Sequence, residues 1–167
     1  MTGGYLTLAR WHGAPVRAHW TFPLGALIFG QGRVAPGFWL GFVLLVLVHE
    51  IGHAVVVRRV RCRVVSIDLH ALGGVCRWQG DPTAAERAAI AWGGVLAQAV
   101  LFAATTVWLE LAGDPRSRFA GDLMDAFVST NVLMILLNLL PVAPLDGGEA
   151  WEILRHVRLP RARRKNQ

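Results

Sequence analysis

The chain predicts an all-α integral membrane protein of about four transmembrane helices, with a small β-hairpin or sheet in the loop between the second and third. Three observations carry that class. Hydrophobic residues make up 54% of the 167 residues, and the mean hydropathy is +0.43, too apolar for an ordinary soluble domain. Charged residues vanish from several long runs. The seventeen basic residues cluster at the flanks of those runs. The net charge of +6 alone would suit nucleic acid, but this placement predicts a lipid bilayer as partner and no nucleic acid.

The first run, Ala18 to Gly32, is short against the roughly 20 residues a spanning helix needs and contains Pro23 and Gly25. Arg10, Pro15 and Arg17 interrupt the start, so no cleavable leader is expected before it and this segment is expected to stay in the mature protein. Gly37 to Val57 is the second run, with Glu50 its one formally charged residue. The loop that follows holds Arg63–Leu69, rich in β-branched residues, then Ala71-Leu72-Gly73-Gly74, then Val75–Trp78. It reads as two short strands about a glycine turn. That pair is either an ordinary connecting hairpin or, through Gly73 and Gly74, an edge that catches an extended substrate.

Asp81-Pro82-Thr83, with Glu86 in the first turn, signals the start of a third helix, whose uncharged run is Ala88 to Leu109. The fourth run is Ala126 to Leu145. Residues 1–167 thus read as a single integral-membrane domain. With four spans, one side collects fourteen basic residues and the other three (Arg33, Arg116 and Arg118). The positive-inside rule then places both termini in the cytoplasm, and the excess of Arg over Lys points to a bacterial cytoplasmic membrane. The basic tail Arg161–Lys165 is expected to anchor to anionic headgroups. Cys62 and Cys76 lack metal or redox spacing and read as packed thiols in a reducing compartment. The seven tryptophans fall mostly near span ends, which suits interfacial anchoring.

Chemistry concentrates at His49-Glu50-Ile51-Gly52-His53. Residues four apart share a helix face, so both imidazoles can reach one metal ion, with Glu50 beside them as a base. Burying such a cluster in lipid costs at least ~2.5 kcal/mol per charge, which marks it as functional. Its position near the end of the second run puts the site nearer the cytoplasmic face. A catalytic zinc site wants a third protein ligand. His12, His19, His70, His156 and the acids are all candidates. Asp146 stands out because Pro141 and Pro144 break the fourth run before it, Gly147 and Gly148 follow it, and irregular backbone at membrane depth must line protein or water. Glu149 is the second choice.

His49–His53 in one membrane helix, followed by Asn138-Leu139-Leu140-Pro141-Val142-Ala143-Pro144-Leu145-Asp146-Gly147-Gly148, resembles the site-2 protease family of intramembrane zinc metalloproteases. Pro15–Phe22 resembles the segment before that family's first helix. Ala91-Trp92-Gly93-Gly94-Val95-Leu96-Ala97-Gln98 resembles its small-residue motif, which often ends in Asn where this chain has Gln98. The resemblance implies one Zn²⁺ bound by His49, His53 and Asp146, with Glu50 as catalytic base. It implies a membrane-anchored protein or peptide as substrate, and a minimal form without PDZ or CBS domains. Asn138, Gly73, Gly74, Gly93, Gly94 and Gln98 are candidate substrate contacts or supports for the ligands. Small residues in the third helix serve equally as plain helix packing, and Asn138 equally as an interhelical hydrogen bond. Alternatives are a non-proteolytic metal-binding membrane scaffold, a pseudoprotease, or a metal transporter. Homo-oligomerisation stays open.

Overall fold

The computed structural model describes residues 3–152. His156 and the basic tail lie outside the described residues. Two N-terminal strands, β1 (Tyr5–Trp11) and β2 (Ala14–His19), lead into a short helix, α1 (Phe22–Phe29). Then come α2 (Pro36–Arg59), the hairpin β3 (Arg63–His70) and β4 (Gly73–Gln79), and α3 (Ala84–Ala112). The chain returns through α4 (Arg118–Asp125), a π-helical segment (Ala126–Thr130) and α5 (Asn131–Asn138), and closes on α6 (Asp146–Ala150).

Among the described residues, three helices are long and apolar enough to cross a membrane: α2, α3 and the continuous Arg118–Asn138 segment. The expected first span, Ala18–Gly32, is not one of them. Its helical part is eight residues, about 12 Å long, against the ~30 Å of a hydrocarbon core. Instead β2 runs parallel to β3, and α1 continues from it along the N-terminal half of α2. Phe29 packs on Phe42 at 5.3 Å, and Gly30 lies against Phe38. The sheet also exceeds the expected loop hairpin. It has four strands in the order β1-β2-β3-β4, so the N-terminal segment joins the hairpin that follows α2. A turn at His12 and Gly13, both with φ near the left-handed region (47° and 87°), folds β1 onto β2.

Ends and contacts have local causes. Thr83 caps α3 reciprocally with Glu86, so the helix begins before its uncharged run. The last span starts at the Ser117 cap and ends at Asn138, before Pro141, rather than covering 126–145. Helices meet α2 where it has no side chains. A Cβ at Gly52 would strike the Gly93 carbonyl, and one at Gly93 would lie 2.7 Å from the Gly52 oxygen, so α2 and α3 cross backbone to backbone. Gly37 and Gly41 do the same for the returning span, against Phe119 and Ala126. Phe38, Phe42, Leu45, Ile67 and Leu69 form the core between α2 and the sheet.

Candidate metal centre

Both histidines project from the same face of α2 toward α3, and both are buried. Each ring is held from behind. His49 Nδ1 lies 3.0 Å from Gln98 Oε1, and His53 Nδ1 lies 2.7 Å from the Ile90 carbonyl. Both partners are acceptors, so both Nδ1 atoms carry the proton, and both Nε2 atoms present lone pairs to the other side. Those two Nε2 atoms stand 2.9 Å apart. Asp146 Oδ2 joins them, 2.9 Å from His49 Nε2 and 3.3 Å from His53 Nε2. The same buried oxygen has no hydrogen-bond partner. Three lone-pair atoms thus converge with no proton between them, an arrangement that repels itself unless a cation sits at its centre. Two imidazoles and one carboxylate form a donor set that suits zinc and leaves a fourth position open.

Glu50 completes a His49–Glu50–His53 cluster whose ligand atoms lie within 4.8 Å of one another. Of the two carboxylates, Asp146 is the one that touches both rings; Glu50 stands aside, 2% exposed, with Oε2 unpartnered. The tip of β4 covers it, for a Cβ at Gly74 would overlap the Glu50 carboxylate. Gly94 lies against the imidazoles beside their inward-facing edges, where a Cβ would come 2.5 Å from His53 Nε2 and 2.6 Å from His49 Cε1. Gly93 faces Gly52 and packs helices instead of lining the site. Gly73 turns the β3–β4 hairpin with φ of 129°.

The other expected residues fall elsewhere. Asn138 ends α5, half-buried, with no side-chain hydrogen bond to the cluster. Glu149 is exposed. His19 bonds Thr21 at 2.7 Å beside Tyr5, His12 sits in the β1–β2 turn, and His70 ends β3. None of these three histidines makes a contact to the imidazole pair among the described residues.

Three residues near the site escaped the sequence reading. Asn131 is fully buried where the π-helical segment ends. Its backbone N–H reaches back to the Ala126 carbonyl, and its side-chain Nδ2 takes over the Phe127 carbonyl and also donates to the Gln98 carbonyl on α3. Trp92 and Trp151 were read as interfacial anchors, yet their indole nitrogens bond backbone carbonyls around α6. An uncharged Asn inside an apolar run, or a Trp at a span end, leaves no periodic trace.

A model of the Peptidase M50B-like family matches residues 31–143, which includes the two histidines and Glu50 and stops short of Asp146. The chain is 35% identical over 165 residues to a protein named putative zinc metalloprotease Rip3 from Mycobacterium tuberculosis, covering 86% of this chain and 42% of that one. It is 30% identical over 123 residues to stage IV sporulation protein FB of Bacillus subtilis, covering 72% of this chain and 41% of that one. It therefore spans about two fifths of the length of these relatives. A solved structure of a site-2 protease from Methanocaldococcus jannaschii shares the fold, with a TM-score of 0.68 at 21% identity, over 94% of this chain and 74% of that one. The convergent His49–His53–Asp146 geometry, the apolar helices and the family match lead to one assignment: the chain belongs to the Peptidase M50B-like family, the site-2 protease family of membrane metalloproteases.

Proposed function

We propose that the chain is the catalytic core of an intramembrane zinc metalloprotease that hydrolyses a peptide bond within or near a transmembrane segment of a membrane-anchored protein or peptide. The observation that carries this reading is the meeting of three unprotonated donor atoms, 2.9 and 3.3 Å apart, beside a buried carboxylate that none of them uses. His49, His53 and Asp146 would hold one Zn²⁺. Bound there, the ion supplies Lewis acidity toward a peptide carbonyl and lowers the pKa of a water to about 7.

The chain's own residues do the rest. Glu50 Oε2, free of partners, takes the proton from the attacking water and passes it to the amine nitrogen that leaves. Gln98 and the Ile90 carbonyl hold both rings in the tautomer that turns Nε2 inward. Gly94 leaves room for the rings. β4 is an edge strand whose tip lies on Glu50, so an unwound substrate stretch adding to that edge at Gly73 and Gly74 would bring a peptide bond to the base. Asn138 is the candidate for a polar substrate contact. The basic flanks support a site nearer the cytoplasmic face, and the excess of Arg over Lys supports a bacterial membrane.

The test is reconstitution in liposomes with a single-span peptide substrate, wild type beside Glu50→Gln. Wild type should cleave. The variant should lose activity by about 10²-fold or more, the scale of a lost general base, while its zinc content stays unchanged. Undiminished cleavage by the variant would defeat the assignment of Glu50. No cleavage by wild type at full zinc content would favour the scaffold reading.

A further inference from the structure

Asp146, the third ligand, stands on the weakest element of the site. α6 is five residues long, well below the length at which a helix holds itself together, and it is entered through an irregular turn. Two indoles restrain it. Trp92 Nε1, on α3, donates to the Ala150 carbonyl at the far end of α6, at 3.1 Å. Trp151 Nε1 donates to the Leu139 carbonyl just past α5, at 2.7 Å. The two rings meet edge to face, with centroids 5.5 Å apart and planes at 81°. At the near end of α6, Gly147 lies flat on the Leu139 and Leu140 carbonyls, where a Cβ would not fit.

We propose that Trp92 and Trp151 are positioning residues for the metal. They clamp α6 between α3 and the end of α5, so zinc affinity depends on two indole N–H groups outside the coordination sphere. The clamp shares its helix with the ring support. Trp92 and Gly94 both belong to α3, so one rigid element sets the carboxylate and the imidazoles relative to each other. Without the clamp, Asp146 must be ordered at the moment the ion binds, and that entropy is subtracted from affinity. This inference rests on the zinc-site reading above.

The test is competition for Zn²⁺ against a chromophoric chelator, with the full chain in detergent. Trp92→Phe and Trp151→Phe keep an aromatic ring, though a smaller one, and remove the N–H. Trp108→Phe, at a position 63% exposed, is the control. Each clamp variant should bind zinc about 10- to 100-fold more weakly, the scale for groups that support ligands from behind. The double variant should fall short of the product of the two, because either loss opens the same clamp. Melting of the zinc-free forms is the second readout. A purely structural role would lower the zinc-free Tm and leave zinc affinity within about twofold of wild type, and that result overturns the proposal. Should a Phe variant fail to fold, a benzothienylalanine at the same position, isosteric with Trp but lacking the N–H, takes its place under the same criteria. If wild type binds no zinc, or His53→Ala binds it as wild type does, the zinc-site reading itself fails. If His53→Ala loses zinc and both tryptophan variants keep it, only the clamp fails.

Discussion

At Gly94 one methyl group decides whether the metal site can exist. In an α-helix a Gly→Ala change normally stabilises, by about 0.5–1 kcal/mol. Here the added carbon would stand 2.5 Å from His53 Nε2 and 2.6 Å from His49 Cε1, so the rings must rotate away from Asp146. Gly94→Ala should therefore keep its helical circular dichroism and lose most of its bound zinc. Retained zinc would show that the imidazoles do not lean on α3. At this scale the sequence was legible where spacing encodes geometry: four residues along one helix bring His49 and His53 to the same face, with Glu50 between them. Asp146 was legible as a carboxylate on broken backbone at the end of an apolar run, although the residues alone left Glu149 and four other histidines in play. The supporting shell was less so. Gln98 stood out only through a resemblance, and nothing about Asn131 or the two tryptophans announces a hydrogen bond to another helix.

At the scale of elements, the sheet is joined by charge as well as by its ladder. Asp68 on β3 is 1% exposed. It receives Arg17 from β2 at 2.7 and 2.8 Å, Arg77 from β4 at 2.9 Å and the Ser66 hydroxyl at 3.1 Å. Burial pushes the Asp68 pKa up, but the hydrogen bonds from Arg17 and Arg77 outweigh it and hold the pKa below its ordinary value of 3.8. A lowered carboxylate pKa stabilises the fold above the unfolded-state value, and that contribution is lost as pH falls through the folded-state value. Asp68→Asn should cost about 3 kcal/mol at pH 7, the low end for a broken buried pair because Arg77 is largely exposed. The difference from wild type should narrow on acidification below about pH 4. Urea melts in detergent at pH 7 and pH 3 check this, and a gap unchanged at pH 3 would remove charge from the explanation. Arg17 and Asp68 lie far apart in sequence, and β1 and β2 are short and contain Pro15 and a bulge between Thr7 and Ala9. Their pairing with the later hairpin is a long-range event with no local signature. Uncharged runs located the spanning helices but missed their ends, since Glu86 and Asp122 sit in helical turns beyond the apolar stretch.

At the scale of the molecule, the described residues hold three membrane-length helices and a strand-plus-short-helix segment where about four spans were expected, the first of them short. The open end of the β3–β4 hairpin, where Gly80 meets Cys62, lies at the C-terminal end of α2 and leads into the start of α3, whereas the α3–α4 turn lies at the other end of α3. In a chain with Cys62 and Cys76 changed to Ser, Asp81→Cys and Asp114→Cys, both exposed, should react with an impermeant thiol reagent from opposite faces of sealed vesicles. Labelling from the same face would refute α3 as a span. The fold class was legible because lipid demands apolar length. The first segment was misjudged because composition cannot distinguish a full span from a strand and half-helix sheltered by α2.

The most direct measurement is zinc stoichiometry of the purified chain, wild type beside Asp146→Asn and His49→Ala, each checked for folding. Convergence of His49, His53 and Asp146 on one cation predicts one zinc per wild-type chain and sharply reduced zinc in both variants. Full zinc in Asp146→Asn, or none in folded wild type, would contradict it.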